Sequence, residues 1–413
     1  MCQFSTNAWK ISPWDLDRGF IGVFYFSVSD KQPKLKVTLA SDNEGWDIAV
    51  NGQLILELAD NPRVKLSGLL PKGITEKQNK DAKKLDIELF EAKDIPVLLP
   101  SDTLAFPPDS LEIDVVIFHS YGRYLGRQAQ IVRERKSCKW LHVIHTVCEE
   151  LAKFSDTPAE LITEHEVQIE LSKIADVVIG VGPKVAAAYR SALQPSGKDK
   201  DVIDLTPGIF YNLISTRPTK EEGEKFHVLM SGSLKYFKVK GCDIAAKAIK
   251  LLNSASYKYH LTFIVKPKEN VAEITEALQN EGIDSNHFTV EVSNGAEDWS
   301  SLLCKVDLLI KPSRAEGFGV SGVRAISADL PLLASNYCGL GVALQKLPSG
   351  NKHVVESEDP QVWADKIREV KEKGSKINQL EAEELRSEYE KQFNWKEQCD
   401  KLVTQMLSLI SEK

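Results

Sequence analysis

The stretch KPSRAEGFGVSGVRAIS, Lys311 to Ser327, decides how this chain is read. It follows an apolar run, DLLI, with the composition of a buried strand. Gly317, Gly319 and Gly322 stand in a G-x-G-x-x-G spacing, and Glu316 and Arg324 lie eight residues apart around them. Three readings compete: a dinucleotide fingerprint, another phosphate and sugar site, or a tight strand-to-helix turn. Glycines let the backbone approach a ligand closely, and the free N–H groups of a following helix favour an anion. A nicotinamide site also needs an acidic residue about 20 residues on, at the end of the next strand, to hold a ribose. The next strand, LPLLAS, ends in Asn336-Tyr337, and the motif comes late in the chain. Context therefore argues against the dinucleotide reading, and Glu316, ahead of the glycines, becomes the informative residue.

Outward from this stretch, short β-rich apolar runs alternate with longer stretches of helical composition, the pattern of parallel β-α-β units. In the first half the strand segments are Lys36–Ser41, Asp114–Ser120, Trp140–Thr146, Asp176–Gly182 and Val202–Gly208. In the second they are Phe226–Ser233, Tyr259–Val265, Phe288–Val292, Asp307–Ser313, Leu330–Ser335 and Lys352–Glu356. Thr157-Pro158 and Asp359-Pro360 read as N-caps followed by proline, and after the latter Trp363, Ile367 and Val370 share one helical face. The polar stretch Asn212–Lys225 offers neither strand nor apolar face and reads as a linker. The expected organisation is two doubly wound, Rossmann-like α/β domains, 1–211 and 226–391, joined by 212–225. A helix over 392–413 closes the chain. In such sheets ligands sit beyond the carboxyl ends of the strands, and a pair of them makes a cleft.

Composition narrows the partners. With 413 residues, 42% hydrophobic and 27% charged, the chain has the make-up of a soluble globular enzyme of two domains. A net charge of −7 leaves little basis for a nucleic-acid footprint. The amino terminus lacks the apolar core of a signal peptide and no run reaches membrane-spanning length, so a cytoplasmic protein without a transmembrane segment is expected. Seven cysteines are scattered without a C-x-x-C pair or metal-ligand cluster, and no D-x-D flanked by strands is present to hold a cation.

The stretch resembles the donor-site signature of retaining glycosyltransferases of the GT-B fold, family 4: P-S-x-x-E-G-F-G, a second glutamate eight residues after the first, then A-x-x-x-G-x-P and a short apolar strand. Pro312, Ser313, Glu316, Gly317, Phe318, Gly319, Ala325, Pro331 and Ser335 match, whereas Arg324 replaces the second glutamate and Asp329 a glycine. SGSLKYFKVKGCDIAAKAI, Ser231–Ile249, is similar to the family's G-R-x-x-x-x-K-G-x-D segment, with Ser233 for its arginine and two extra residues before Lys240. FNWKEQCDKLV, with Trp395, resembles the closing helix that crosses back onto the first domain. DVVIFHS resembles a strand ending in histidine, here His119, and KIADVVIGVGPKV a further first-domain segment. WDLDRGFIG, with Gly19 and Gly22, resembles a shortened glycine-rich first loop.

The resemblance implies transfer of a hexose from a nucleotide sugar, UDP- or GDP-linked, to an unidentified acceptor. It implies retention of configuration, with no metal and no further cofactor. Lys240 then stabilises the departing diphosphate and Glu316 orients the sugar, while Phe318, Gly319 and Val320 supply backbone contacts. Gly19 and Gly22 complete the donor side; His119 and His145 line the acceptor side. Where the family's arginine and second glutamate are missing, Ser233, Lys235 or Lys238, and Arg324 are the substitutes to examine, because arginine cannot accept hydrogen bonds as a carboxylate does. Two rival readings follow: a binding or sensor domain that keeps the fold without the chemistry, and a sugar-nucleotide epimerase, for which no acid–base carboxylate pair is evident.

Overall fold

A computed structural model describes residues 33–42, 46, 49–120, 125–214, 225–255, 258–293 and 296–411, and within them thirteen strands form two sheets. The first sheet holds β1 (Leu35–Ala40), β2 (Val64–Leu70), β3 (Glu88–Glu91), β4 (Val115–Ser120), β5 (Lys139–Ile144), β6 (Val177–Val181) and β7 (Val202–Leu205). The second holds β8 (Phe226–Ser231), β9 (Tyr259–Val265), β10 (Phe288–Val292), β11 (Leu308–Lys311), β12 (Leu332–Ser335) and β13 (Val354–Val355). Their orders are β3-β2-β1-β4-β5-β6-β7 and β10-β9-β8-β11-β12-β13, with every pairing parallel. Both sheets belong to the unit that begins at Lys34.

The physical cause is visible in the strands themselves. The segment VVIGV of β6 is buried at every position and KWLHVI of β5 at all but its first, as parallel strands covered by helices on both faces must be. Each expected strand segment contains a strand. Two strands, β2 and β3, escape the sequence pattern. In β2, VKLSGLL, Lys65, Ser67 and Gly68 interrupt the apolar run, and β3, ELFE, is a four-residue edge strand exposed at both ends. Asp359 caps its helix by accepting from the Gln361 N–H at 2.8 Å, and Trp363, Ile367 and Val370 are buried as their spacing required. The helix after Thr157 does begin at Pro158, but the Thr157 hydroxyl makes no capping bond.

The closing helix, Trp395–Ser411, lies against the first sheet's elements. Asn61 donates to Asp400 Oδ1 at 2.8 Å, and the Gln398 amide accepts from the Thr206 N–H and donates to its carbonyl, both at 2.9 Å. Among the described residues no helix is long and apolar enough to cross a membrane. Gly19, Gly22 and linker residues 215–224 lie outside the described residues.

Candidate functional site

Strand order reverses between β8 and β11 in the second sheet, the switch point at which open α/β sheets hold ligands. The loops leaving these two strands carry Lys240 and Glu316. They are locked together by Arg314, whose guanidinium grips Asp243 at 2.7 and 2.9 Å and donates to the Lys238 carbonyl at 2.7 Å. Lys240 is thereby brought onto Glu316: its Nζ pairs with Glu316 Oε1. The other carboxylate oxygen, Oε2, accepts from Ser313 Oγ at 2.9 Å and lies 2.9 Å from Lys311 Nζ. Lys311 Nζ also donates to Ser321 Oγ at 3.0 Å, and Ser231 Oγ to Ser321 Oγ at 3.3 Å.

Lys311 is the residue sequence reading missed. Lysines are nearly always exposed, yet this one is only 4% exposed. The one available signal was its position, at the end of a buried apolar strand and directly before proline. Burial by itself would raise the Glu316 carboxyl, but Lys240 and Lys311 outweigh it and hold the group well below the usual carboxylate range. Glu316 is therefore an anion with both oxygens committed, and Lys240, the more exposed of the two lysines, is the partner best able to leave it.

The glycines of the motif have separate reasons. Gly319 ends the loop at φ +107°, a conformation side chains resist, and the Val320–Ser327 helix starts directly after it. Gly317 is a close approach: a Cβ there would lie 1.7 Å from the His145 carbonyl oxygen. The loop after β11 thus presses on the end of β5, and the Phe318 ring packs over Gly182 at the end of β6. Directly across this contact, His119 Nδ1 and His145 Nε2 are 2.8 Å apart, one donating to the other, with ring centroids 5.1 Å apart. Burial depresses both, His119 well below the usual histidine value and His145 to about 3, so the pair is neutral near pH 7.

The remaining candidates divide. Val320, partly buried, opens the helix whose first N–H groups face the loop. Ser233, half-buried, follows β8 but no hydrogen bond joins its side chain to Lys240 or Glu316 among the described residues. Lys235 is exposed, its Nζ 5.3 Å from the Tyr236 ring, and Lys238 is bound to Glu281 at 2.6 Å, so neither joins the cluster. Arg324 does not reach it either. Its guanidinium lies over Trp299 at 4.7 Å and Phe210 at 5.7 Å, facing a separate cavity of about 700 Å³. Asp329, in the place of the resembled family's glycine, adopts φ +54°, the left-handed region aspartate tolerates, and its buried carboxylate pairs with Arg386.

Comparison with known proteins addresses the family and the fold. A family described as family 4 glycosyltransferases in conflict systems matches residues 41–402. An uncharacterized glycosyltransferase of Methanocaldococcus jannaschii is 26% identical over 219 residues, 49% of this chain and 54% of that protein. D-inositol 3-phosphate glycosyltransferase 1 of Catenulispora acidiphila is 33% identical over 103 residues, 25% of this chain and 24% of that protein. The chain thus spans about half the length, or less, of these relatives. Among solved structures, sucrose-phosphate synthase of Thermosynechococcus elongatus superposes with a TM-score of 0.68 at 16% identity, covering 92% of this chain and 100% of that one. The Anabaena protein HepE, solved with UDP and glucose, gives 0.65 at 14% identity, covering 91% and 99%. The architecture is the GT-B fold.

Proposed function

The chain belongs to the family 4 glycosyltransferases found in conflict systems, and on that premise we propose that it moves a hexose from a UDP- or GDP-linked sugar to an acceptor with retention of configuration and without a metal ion. The observation that carries this reading is the Lys240–Glu316–Lys311 cluster at the β8/β11 switch point. Charge builds on the departing diphosphate as the glycosidic bond breaks, and a cation and fixed N–H donors aimed at that charge lower the barrier. Lys240 moves from Glu316 to the phosphate, beside the first N–H groups of the Val320–Ser327 helix. That frees Glu316 Oε1 for the sugar hydroxyls, while Lys311 and Ser313 hold Oε2 in place. Attack comes from the face the diphosphate leaves, with a phosphate oxygen taking the acceptor proton. The neutral His119–His145 pair lies on the acceptor side.

The test is release of nucleoside diphosphate from a panel of nucleotide sugars. Release that falls by about 10²- to 10³-fold in Lys240→Ala supports transfer; release that Lys240→Ala leaves intact sinks this assignment. A second reading, a binding domain without chemistry, is favoured by the guanidinium at position 324 in place of a carboxylate. No release with any donor, together with a rise in melting temperature when one is added, would establish it.

A further inference from the structure

The cavity that Arg324 faces is walled by the flank of the Ala49–Asp60 helix, with Ile55 and Leu56, by Ala82 and Leu85, and by Trp299 and Trp395. Lys240, Glu316 and Lys311 are not among its lining residues. It runs along helix flanks, whereas the charged cluster sits at strand ends, and its volume of about 700 Å³ is that of a small-molecule site. Three polar groups of the wall lack partners among the described residues. The Arg324 guanidinium has only the faces of Trp299 and Phe210, and the Trp395 Nε1 and Gln53 Oε1 atoms are buried without a hydrogen bond. Burial lowers Arg324 to about 10, so it remains a cation at neutral pH, partly stripped of water and, among the described residues, without a counter-ion. Such a charge is costly until an anion meets it, and a planar guanidinium meets carboxylate or phosphate with two parallel hydrogen bonds. Of the two acidic residues in the wall, Asp81 is paired with Lys84 at 2.6 Å; burial raises the Glu57 carboxyl above its ordinary value, and among the described residues no ion pair joins it to Arg324.

We propose that this cavity binds an amphiphilic anion, an apolar body ending in one carboxylate or phosphate, with the anionic group on Arg324 and the body against Ile55, Leu56, Ala82 and Leu85. The ligand is distinct from the sugar donor, and its binding does not require the transfer reaction. Dodecanoate and dodecyl phosphate are suitable probes, and Trp46, Trp299 and Trp395 in the wall make intrinsic fluorescence the readout. At concentrations below micelle formation at least one of the two should saturate at one molecule per full-length chain, and dodecyltrimethylammonium should not bind. Arg324→Gln should weaken binding by about tenfold or more, and so should Leu56→Glu, at a wall residue 53% exposed and tolerant of charge. Lys240→Ala should leave it unchanged. Saturation by neither anion, equal binding of the cationic probe, or undiminished affinity in folded Arg324→Gln would overturn the site. Competitive displacement by UDP or GDP would assign the cavity to the donor and overturn it equally; nucleoside diphosphate release, measured separately, reports on the transfer reading alone.

Discussion

The segment Lys311–Ser327 carries one cation at its start and another, Arg324, near its end, and the fold treats the two in opposite ways. At its start Lys311 is buried, shares Glu316 with Lys240, and donates to Ser321. One helical turn beyond Ser321, Arg324 faces a largely apolar cavity, where among the described residues its guanidinium has aromatic rings beside it and no ion pair. A buried ion pair contributes little net stability, but removing one partner strands the other charge and costs about 3–5 kcal/mol. An unpaired cation is already stranded, so its removal costs little. The first arrangement is complete and must be opened by a ligand; the second is incomplete and is closed by one.

The sharpest way to break this contrast is to delete one charge from each end. Glu316→Gln leaves two lysines around a neutral amide and should lower stability by about 3 kcal/mol or more, read as a fall in melting temperature or in denaturant midpoint. Arg324→Gln should stay within about 1 kcal/mol of the parent, in either direction. Equal losses in the two variants would erase the distinction.

Lys311→Met should fall between these, because Lys240 still neutralises Glu316. About 2 kcal/mol of stability should be lost. The kinetic consequence is more specific: Glu316 loses the anchor on Oε2 but not its charge, so donor KM should rise more than kcat falls. A kcat loss as deep as that of Lys240→Ala would mean that Lys311 touches the reacting groups directly.

Much of this was legible in the sequence, and the limits have physical causes. The parallel α/β pattern could be read because strands buried on both faces are nearly continuous apolar runs, as in VVIGV. Glu316, Lys240 and the two histidines could be named because each stands at the end of such a run or in a motif tied to one. Lys311 could not, since a lysine after LLI reads as the end of burial rather than its continuation. The surroundings of Arg324 were out of reach for another reason: Trp299 comes from a helix on the other side of a strand and Phe210 from the first half of the chain, and sequence spacing ties neither to it. Asp329 shows the converse, a departure from the resembled family that becomes intelligible once its φ of +54° and its pairing with Arg386 are seen.

The contrast extends to pH. Glu316 titrates well below the usual carboxylate range, so the stability it contributes is present above about pH 4.3 and is lost only in stronger acid. His119, His142 and His145 are depressed by burial, His142 to about 4 and His145 to about 3. Below about pH 6.5 the unfolded chain binds protons that these folded histidines refuse, so stability falls with pH by up to about 1.4 kcal/mol per unit for each. Acid should therefore weaken the first sheet's histidines while the cation cluster of the second holds. His142 separates this effect from the site, because it packs beside Trp140, and neither of its ring nitrogens has a hydrogen-bond partner among the described residues. His142→Leu should flatten the acid limb of a melting-temperature profile by about a third. Near pH 7 it should change stability by no more than about 1 kcal/mol, because the unpaired nitrogens it removes were themselves a cost. A profile as steep as the parent's would place the acid sensitivity in the His119–His145 pair, and so at the contact where the loop after β11 meets the first sheet.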